Sequence, residues 1–345
     1  MGGRRRLPSA STRAGTAPGD GRPEGRGACK HRGFWQVPTP SRVAVPARWP
    51  RFPGPWGSAD VSWRDQVAAR TLRFMGRAEE YRRRLRELPE WDAFLLDESG
   101  LPGPRGNLEL VQAVADEGDE TTFRRFLAFG PDRAPTGTRE EFLAVCGTVG
   151  LGRLLAEGRG DVIDDLLVLA ADPRWRVREG VAMALQRLGR ADMDALLAAV
   201  APWAHADRLP QRAAAAALCE PVLLRDDAHA RAVLAILDQI TLTVEGAADA
   251  DTYGYGVLCR GLGYCWSVAA AAAPETGLPI LERWCGSEDI HVRRIMRENL
   301  GKARLERVAP DWVMRWRDEL GARRGWSGRR AAGDARNESG QPPSS

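Results

Sequence analysis

The chain has 345 residues, of which 43% are hydrophobic, so it can form one large or two ordinary domains with a sizeable core. No apolar run approaches the roughly 20 residues of a membrane-spanning helix, and we predict no contact with a membrane. The net charge of +4 is unevenly distributed, because residues 1–60 carry +8 and residues 61–345 therefore carry −4. This balance argues against a folded surface uniformly adapted to nucleic acids or other polyanions.

The cysteines indicate a reducing compartment. None of the six belongs to a CxxC pair, and they are scattered through the chain at Cys29, Cys146, Cys219, Cys259, Cys265 and Cys285. In a chain of this size such scatter predicts free, mostly buried thiols. No apolar segment follows the basic cluster Arg4 to Arg6, so we predict no secretory signal and a cytoplasmic location.

Composition divides the chain into four parts. Residues 1–60 contain nine prolines and ten glycines without apolar periodicity, which predicts a disordered tail. Residues 61–104 contain a leading helix, Ser62 to Leu88, and a connector. Residues 105–320 form the main helical region. Residues 321–345 are rich in Gly, Arg and Ser, and we predict a second disordered tail.

Helix start signals recur along the main region. Asn107, Asp119, Asp161 and Asp172 are N-cap candidates, and Thr138 with Glu141 has the spacing of a capping box. Further helices are predicted at Asp192 to Ala204, Leu209 to Glu220, Ala228 to Val244, Tyr253 to Ala272, Glu275 to Trp284, Ser287 to Leu300 and Asp311 to Leu320. Strand patterns are nearly absent, so the predicted fold class is all-α.

One stretch, DPRWRVREGVAMALQRLG from Asp172 to Gly189, defines a repeated frame. Asp172 is predicted as its N-cap, Pro173 as its first helical residue and Gly189 as its end. Its apolar face aligns, after a shift of 115 residues, with that of SEDIHVRRIMRENLG, from Ser287 to Gly301. Three units of about 38 residues fit into this shift.

The pattern of Asp-Pro, then Val-Arg, then an Ala/Leu-rich helix resembles the second helix of a HEAT-type repeat. The similarity covers roughly residues 105–320 and is strongest at 172–189 and 287–300. It implies a right-handed superhelical α-solenoid of stacked HEAT-like helical hairpins, an ARM-type fold. Because this repeat frame occurs without a recognisable catalytic constellation, we expect a monomeric, non-enzymatic scaffold or adaptor that binds a protein partner on its concave face.

Two clusters of arginines and neighbouring tryptophans are the candidate binding residues of that face: Arg174, Trp175, Arg178, Trp266, Arg293 and Arg297. Basic side chains in the first turns of helices suit phosphate groups. The resemblance to HEAT repeats implies another role, in which an arginine at the repeated position, here Arg178 and Arg293, bonds to acids of the adjacent repeat.

An alternative function follows from a second resemblance. The chain is similar in size and helix content to the HEAT-like bacterial alkylpurine DNA glycosylases, which excise bases from an aromatic cleft containing an aspartate. The matching candidates are Asp172 or Asp289 as the acid, with a set of tryptophans: Trp175, Trp203, Trp266, Trp284 and Trp312.

Other catalytic and metal-binding motifs are missing from the sequence. The histidines His31, His205, His229 and His291 lie far apart, without the ligand spacing of a zinc site. No GxSxG or GxxxxGK[ST] motif occurs. We therefore predict no catalytic residue, metal or cofactor.

Overall fold

The computed structural model describes residues 76–321, and this part of the chain is helical without any β-strand. The all-α prediction is confirmed for it. Both predicted disordered tails, except Gly321, and the start of the leading helix lie outside the described residues. Within 76–321 no helix is both long and apolar enough to cross a membrane.

The first half of the described chain contains seven α-helices, α1 to α7. In chain order they are α1 (76–87), α2 (Asp92–Glu98), α3 (Leu108–Glu117), α4 (Glu120–Leu127), α5 (Glu141–Ala156), α6 (Val162–Leu169) and α7 (Trp175–Ala191).

The second half continues with α8 to α15 and two short 3₁₀ helices, Ala201–His205 and Pro221–Leu223. The α-helices are α8 (Met193–Val200), α9 (Arg208–Leu218), α10 (Asp227–Val244), α11 (Tyr253–Ala272), α12 (Pro274–Cys285), α13 (Ile290–Leu300), α14 (Ala303–Val308) and α15 (310–321).

Side-chain hydrogen bonds confirm the predicted N-caps Asn107 and Asp119 and show Asp289 as a further N-cap that the sequence pattern did not predict. The Asn107 side chain accepts from the backbone N–H of Leu110, and Asp119 accepts from that of Thr122. Asp289 accepts from the backbone N–H groups of both His291 and Val292. These bonds satisfy amides that have no partner inside the helix, which explains where α3, α4 and α13 begin.

The start and end predicted for the DPRWRV helix are wrong by two residues each. The helix α7 runs from Trp175 to Ala191, with Arg174 as its N-cap residue. Asp172 accepts instead from the backbone N–H of Arg174 at 2.7 Å. Gly189 lies inside the helix. A Cβ at this position would come within 2.6 Å of the Leu196 side chain. This glycine permits close packing and does not end the helix.

The predicted capping box of α5 is also wrong. Glu140 is the N-cap residue and makes no side-chain cap bond. The Thr138 hydroxyl donates to the carbonyl of Pro135, and the Glu141 carboxylate accepts from the N–H of Gly137. Glu141 is fully buried and pairs with Arg176 of α7, so a tertiary contact takes the place of the local cap.

The helices form two interleaved rows. The odd row consists of α3, α5, α7, α9, α11 and α13, and each of these helices packs against the next one in the row. The even row consists of α4, α6, α8, α10 and α12, which pack on the odd helices adjacent to them in sequence. Alternate helices therefore share a continuous core.

The apolar face shared by the two aligned stretches lies in this core. Val177 and Val181 of α7 are fully buried, as are their counterparts Val292 and Met296 of α13. Small residues bring the odd helices close together: a Cβ on Gly152 of α5 would collide with the backbone of Ala184 in α7. Contact between backbones leaves no room for larger side chains at this crossing.

Leu185 of α7 is fully buried and provides a test of the core. Leu185→Ala is expected to lower the free energy of unfolding by about 2–5 kcal/mol, since it leaves a cavity. Leu185→Asp would bury an unpaired charge and prevent folding. Urea unfolding followed by circular dichroism measures both effects. Met314→Ala on α15, where the side chain is 60% exposed, is the control and should change stability by under about 0.5 kcal/mol.

Candidate functional site

Arg174 is a buried structural residue in this fold. Its guanidinium donates to both carboxylate oxygens of Asp172, at 2.9 and 2.8 Å, and to the carbonyls of Phe129 and Ala134. The side chains of Arg174 and Asp172 are only 4% and 7% exposed. The pair holds the loop before α7 against the loop after α4, and its burial keeps Arg174 from contact with a ligand.

Arg178 joins the start of α7 to the start of α11. Its side chain donates to the carbonyls of Asp172 and Pro173 and, at 2.6 Å, to the hydroxyl of Tyr253. The guanidinium carbon lies 5.5 Å from the centre of the tyrosine ring. The acceptors of Arg178 are thus two carbonyls and a phenol, and not a carboxylate of an adjacent repeat.

The two tryptophans predicted to bind lie in different environments. Trp175 is half-buried at the start of α7, with the guanidinium carbon of Arg176 4.3 Å from its ring centre. Trp266 is fully buried in α11 and donates its indole N–H to the Thr241 hydroxyl of α10 at 3.0 Å. Because Trp266 has no exposed surface, it is part of the core.

The predicted arginines of α13 lie far from Arg174 in the row of helices. The Arg293 side chain is 14% exposed, and its nearest carboxylate is that of Glu288, 3.9 Å away, in the turn before its own helix. Arg297 is half-buried and interacts within the protein. The structure therefore does not bring the six candidates together into one cluster.

The aromatic residues of the alternative function are dispersed in the same way. Trp203 and Trp284 are 4% and 3% exposed, and the Trp284 indole donates to Asp238. Trp312 is half-buried and donates to Glu282. Of the two acids, Asp172 is paired with Arg174, and Asp289 caps α13.

Ion pairs do join consecutive helices of the odd row, at positions that the sequence pattern missed. Arg176 of α7 pairs with the buried Glu141 of α5 at 3.0 Å. Arg212 of α9 pairs with Glu179 of α7. These arginines stabilise the stacking of the odd row. Arg178 and Arg293, which were predicted to have that role, interact with other partners.

An open groove lies where α6 ends and α9 and α11 begin. This α6–α9 groove has a volume of about 710 Å³ and is open to solvent. It is lined by Leu167, Val168 and Ala171 on one side, by residues 205–210 on the other, and by Gly254. Val168 is 75% exposed, and Tyr253, which precedes Gly254 in the chain, is 63% exposed.

Arg208 forms part of the groove wall, and its charge is compensated. It makes two hydrogen bonds to the carboxylate of Asp249, at 2.8 and 2.6 Å, and one to the Thr243 hydroxyl. The bonds to Arg208 lower the pKa of Asp249 below its ordinary value. Asp207, the next residue in the wall, is exposed and has no basic side chain within 4.0 Å in residues 76–321.

Reactive groups elsewhere in the described chain are few. Cys146, Cys219, Cys259, Cys265 and Cys285 are free thiols, and burial raises the pKa of Cys259 to about 11. A thiol with so high a pKa is a poor nucleophile at neutral pH. No group of three metal-ligating side chains occurs between residues 76 and 321.

No family model, no curated protein and no solved structure matches this chain. The residues of the α6–α9 groove must therefore be interpreted from their own chemistry. Val168 could have been found from helical periodicity, because α6 buries Val162 and Leu166 and so directs position 168 away from the core. Tyr253 carries no such signal, since its contact with Arg178 joins residues 75 positions apart.

Replacement of Arg174 tests its structural role. Arg174→Met should lower the free energy of unfolding by about 3–5 kcal/mol, because it leaves the Asp172 carboxylate buried without its partner. The double variant Asp172→Asn/Arg174→Met should recover part of that loss. Chemical denaturation of the wild type, Arg174→Met, Asp172→Asn and the double variant completes the double-mutant cycle.

The control is Arg294→Met, which breaks an exposed pair with Glu298 and should cost about 0–1 kcal/mol. A similar small loss for Arg174→Met would show that Arg174 is dispensable for folding and available for another role.

Proposed function

We propose that residues 105–320 form a HEAT-like α-solenoid, a right-handed superhelix of stacked hairpins that acts as a non-enzymatic scaffold for a protein partner in the cytoplasm. The two rows of helices support this architecture, because each odd helix packs between its predecessor and its successor. Stacked hairpins of this kind bury their apolar faces on one another and present an extended concave surface to partners.

The observation that carries the binding function is the α6–α9 groove together with its exposed apolar side chains. A single exposed apolar residue is ordinary on a protein surface. Here Val168 lines an open groove, and the exposed Tyr253 directly precedes another lining residue, Gly254. A concave surface with an aliphatic and an aromatic anchor has the features of a protein interaction site.

The proposed contact with the partner lies at the N-terminal ends of α9 and α11. Of the residues predicted from the sequence, Arg178 borders the site through Tyr253, whereas Arg174 lies in the adjoining loop contacts and Trp266 in the core. The proposed monomer therefore uses loops and helix starts, supported by the packed row, to bind its partner.

Site-specific photocrosslinking tests the proposal. A benzophenone side chain at position 168, irradiated in the native host, should form a covalent adduct with one protein, because Val168 lies in the contact. The same side chain at position 314, also exposed but on α15, is the control. Equal adduct patterns at positions 168 and 314 would mean that the groove is not a binding surface.

The alternative, a DNA-binding solenoid related to alkylpurine DNA glycosylases, makes a different prediction. Residues 76–321 contain 31 basic residues, Lys and Arg, and 40 Asp and Glu, a net charge of −9 that opposes binding to a polyanion. We expect no release of alkylated bases and no DNA affinity at physiological salt. Excision activity, or an affinity that falls log-linearly with salt concentration, would favour the glycosylase alternative over the scaffold.

A further inference from the structure

The α6–α9 groove combines apolar side chains with an exposed carboxylate, that of Asp207. Leu167, Val168, Leu209 and Pro210 contribute the apolar part. Asp207 is exposed on the wall, and among the described residues no arginine, lysine or histidine lies within 4.0 Å of its carboxylate. An acid in this position attracts a cation from outside the protein.

The basic residue in the wall does not cancel this charge. Arg208 directs its guanidinium away from Asp207 and makes its bonds to Asp249, Thr243 and Gln211. His205 also lines the groove, and it forms no ion pair within the part of the chain that the structure describes. Asp251, two residues before Tyr253 in the chain, is also exposed.

Tyr253 is held in place although its ring is exposed. Its hydroxyl accepts a 2.6 Å hydrogen bond from Arg178, which is itself 4% exposed and anchored by two carbonyls. The guanidinium carbon lies 5.5 Å from the ring centre, and the Tyr253 residue remains 63% exposed. An aromatic side chain fixed before binding loses little entropy when a partner contacts it. The face of such a ring also attracts cations.

We propose that the α6–α9 groove binds a peptide segment of the partner in which apolar side chains stand next to an arginine or lysine. The apolar side chains contact Val168 and Leu209, and the cationic group lies between the Tyr253 ring and the carboxylate of Asp207. This assignment rests on the proposed function and names the chemistry of the partner. The charge of the wall disfavours acidic peptides and nucleic acids.

Selection from a displayed random dodecapeptide library on the full chain tests the proposal. Peptides retained by the wild type and lost on Val168→Asp should be enriched in Arg or Lys beside apolar residues. Each selected peptide is then synthesised with arginine or with citrulline, which keeps the shape and removes the charge. Binding of the citrulline form should be at least about fivefold weaker, and the difference should shrink as salt rises.

Two variants locate the cation. Asp207→Asn should weaken the arginine peptide by about threefold to fivefold and leave the citrulline peptide unchanged. Tyr253→Leu keeps an apolar side chain and should weaken the arginine peptide by a similar factor. Asp318→Asn, an exposed acid on α15, is the matched control and should change neither affinity. Thermal unfolding of each variant verifies that the fold is intact.

Several outcomes would overturn the proposal. Neutral or acidic peptides that bind in a Val168-dependent manner, or equal affinities for arginine and citrulline, would refute the cationic partner but leave the proposed function standing. Dimerisation that Val168→Asp abolishes would show that a second copy occupies the groove. If basic peptides bind but no crosslink forms at position 168, the scaffold function is refuted and the proposed chemistry of the groove stands.

Discussion

The close approach of α5 to its neighbours is the constraint on which the rest of the structure depends. Gly152 brings α5 against the backbone of α7, and Gly150 makes room for the ring of Phe123 from α4. As a result, every residue of α5 except Arg153 and Ala156 is buried. A helix enclosed on all sides keeps solvent away from its charged groups, and a buried charge is costly unless it is paired.

The need to pair a buried charge joins α5 to α7. Glu141 begins α5 as a fully buried carboxylate, and Arg176 of α7 supplies the cation that it needs. With α7 fixed in this way, Arg174 reaches Asp172 and the loop after α4, and Arg178 reaches across to Tyr253 of α11. The arginines near the start of α7 thus act in folding. One of them, Arg178, also positions the exposed ring beside the groove.

The α6–α9 groove lies at the ends of individual helices within the two rows. The odd helices α9 and α11 begin beside the last turn of α6, and their connecting loops separate enough to leave an open space. Apolar side chains and an uncompensated aspartate remain at this edge because the neighbouring arginines have partners within the protein. Arg208, which is itself in the groove wall, is held by Asp249.

Caps and periodicity are local properties, and they are sufficient to identify the helical class, most helix positions and the apolar face that includes Val177, Val181 and Leu185. Two short helices, α2 and α14, were missed, since segments of seven and six residues carry too little periodic pattern. Only the tertiary structure decided that Gly189 packs, that Trp266 is buried and that Arg178 meets Tyr253. These outcomes depend on residues distant in sequence, whose contacts no local pattern records.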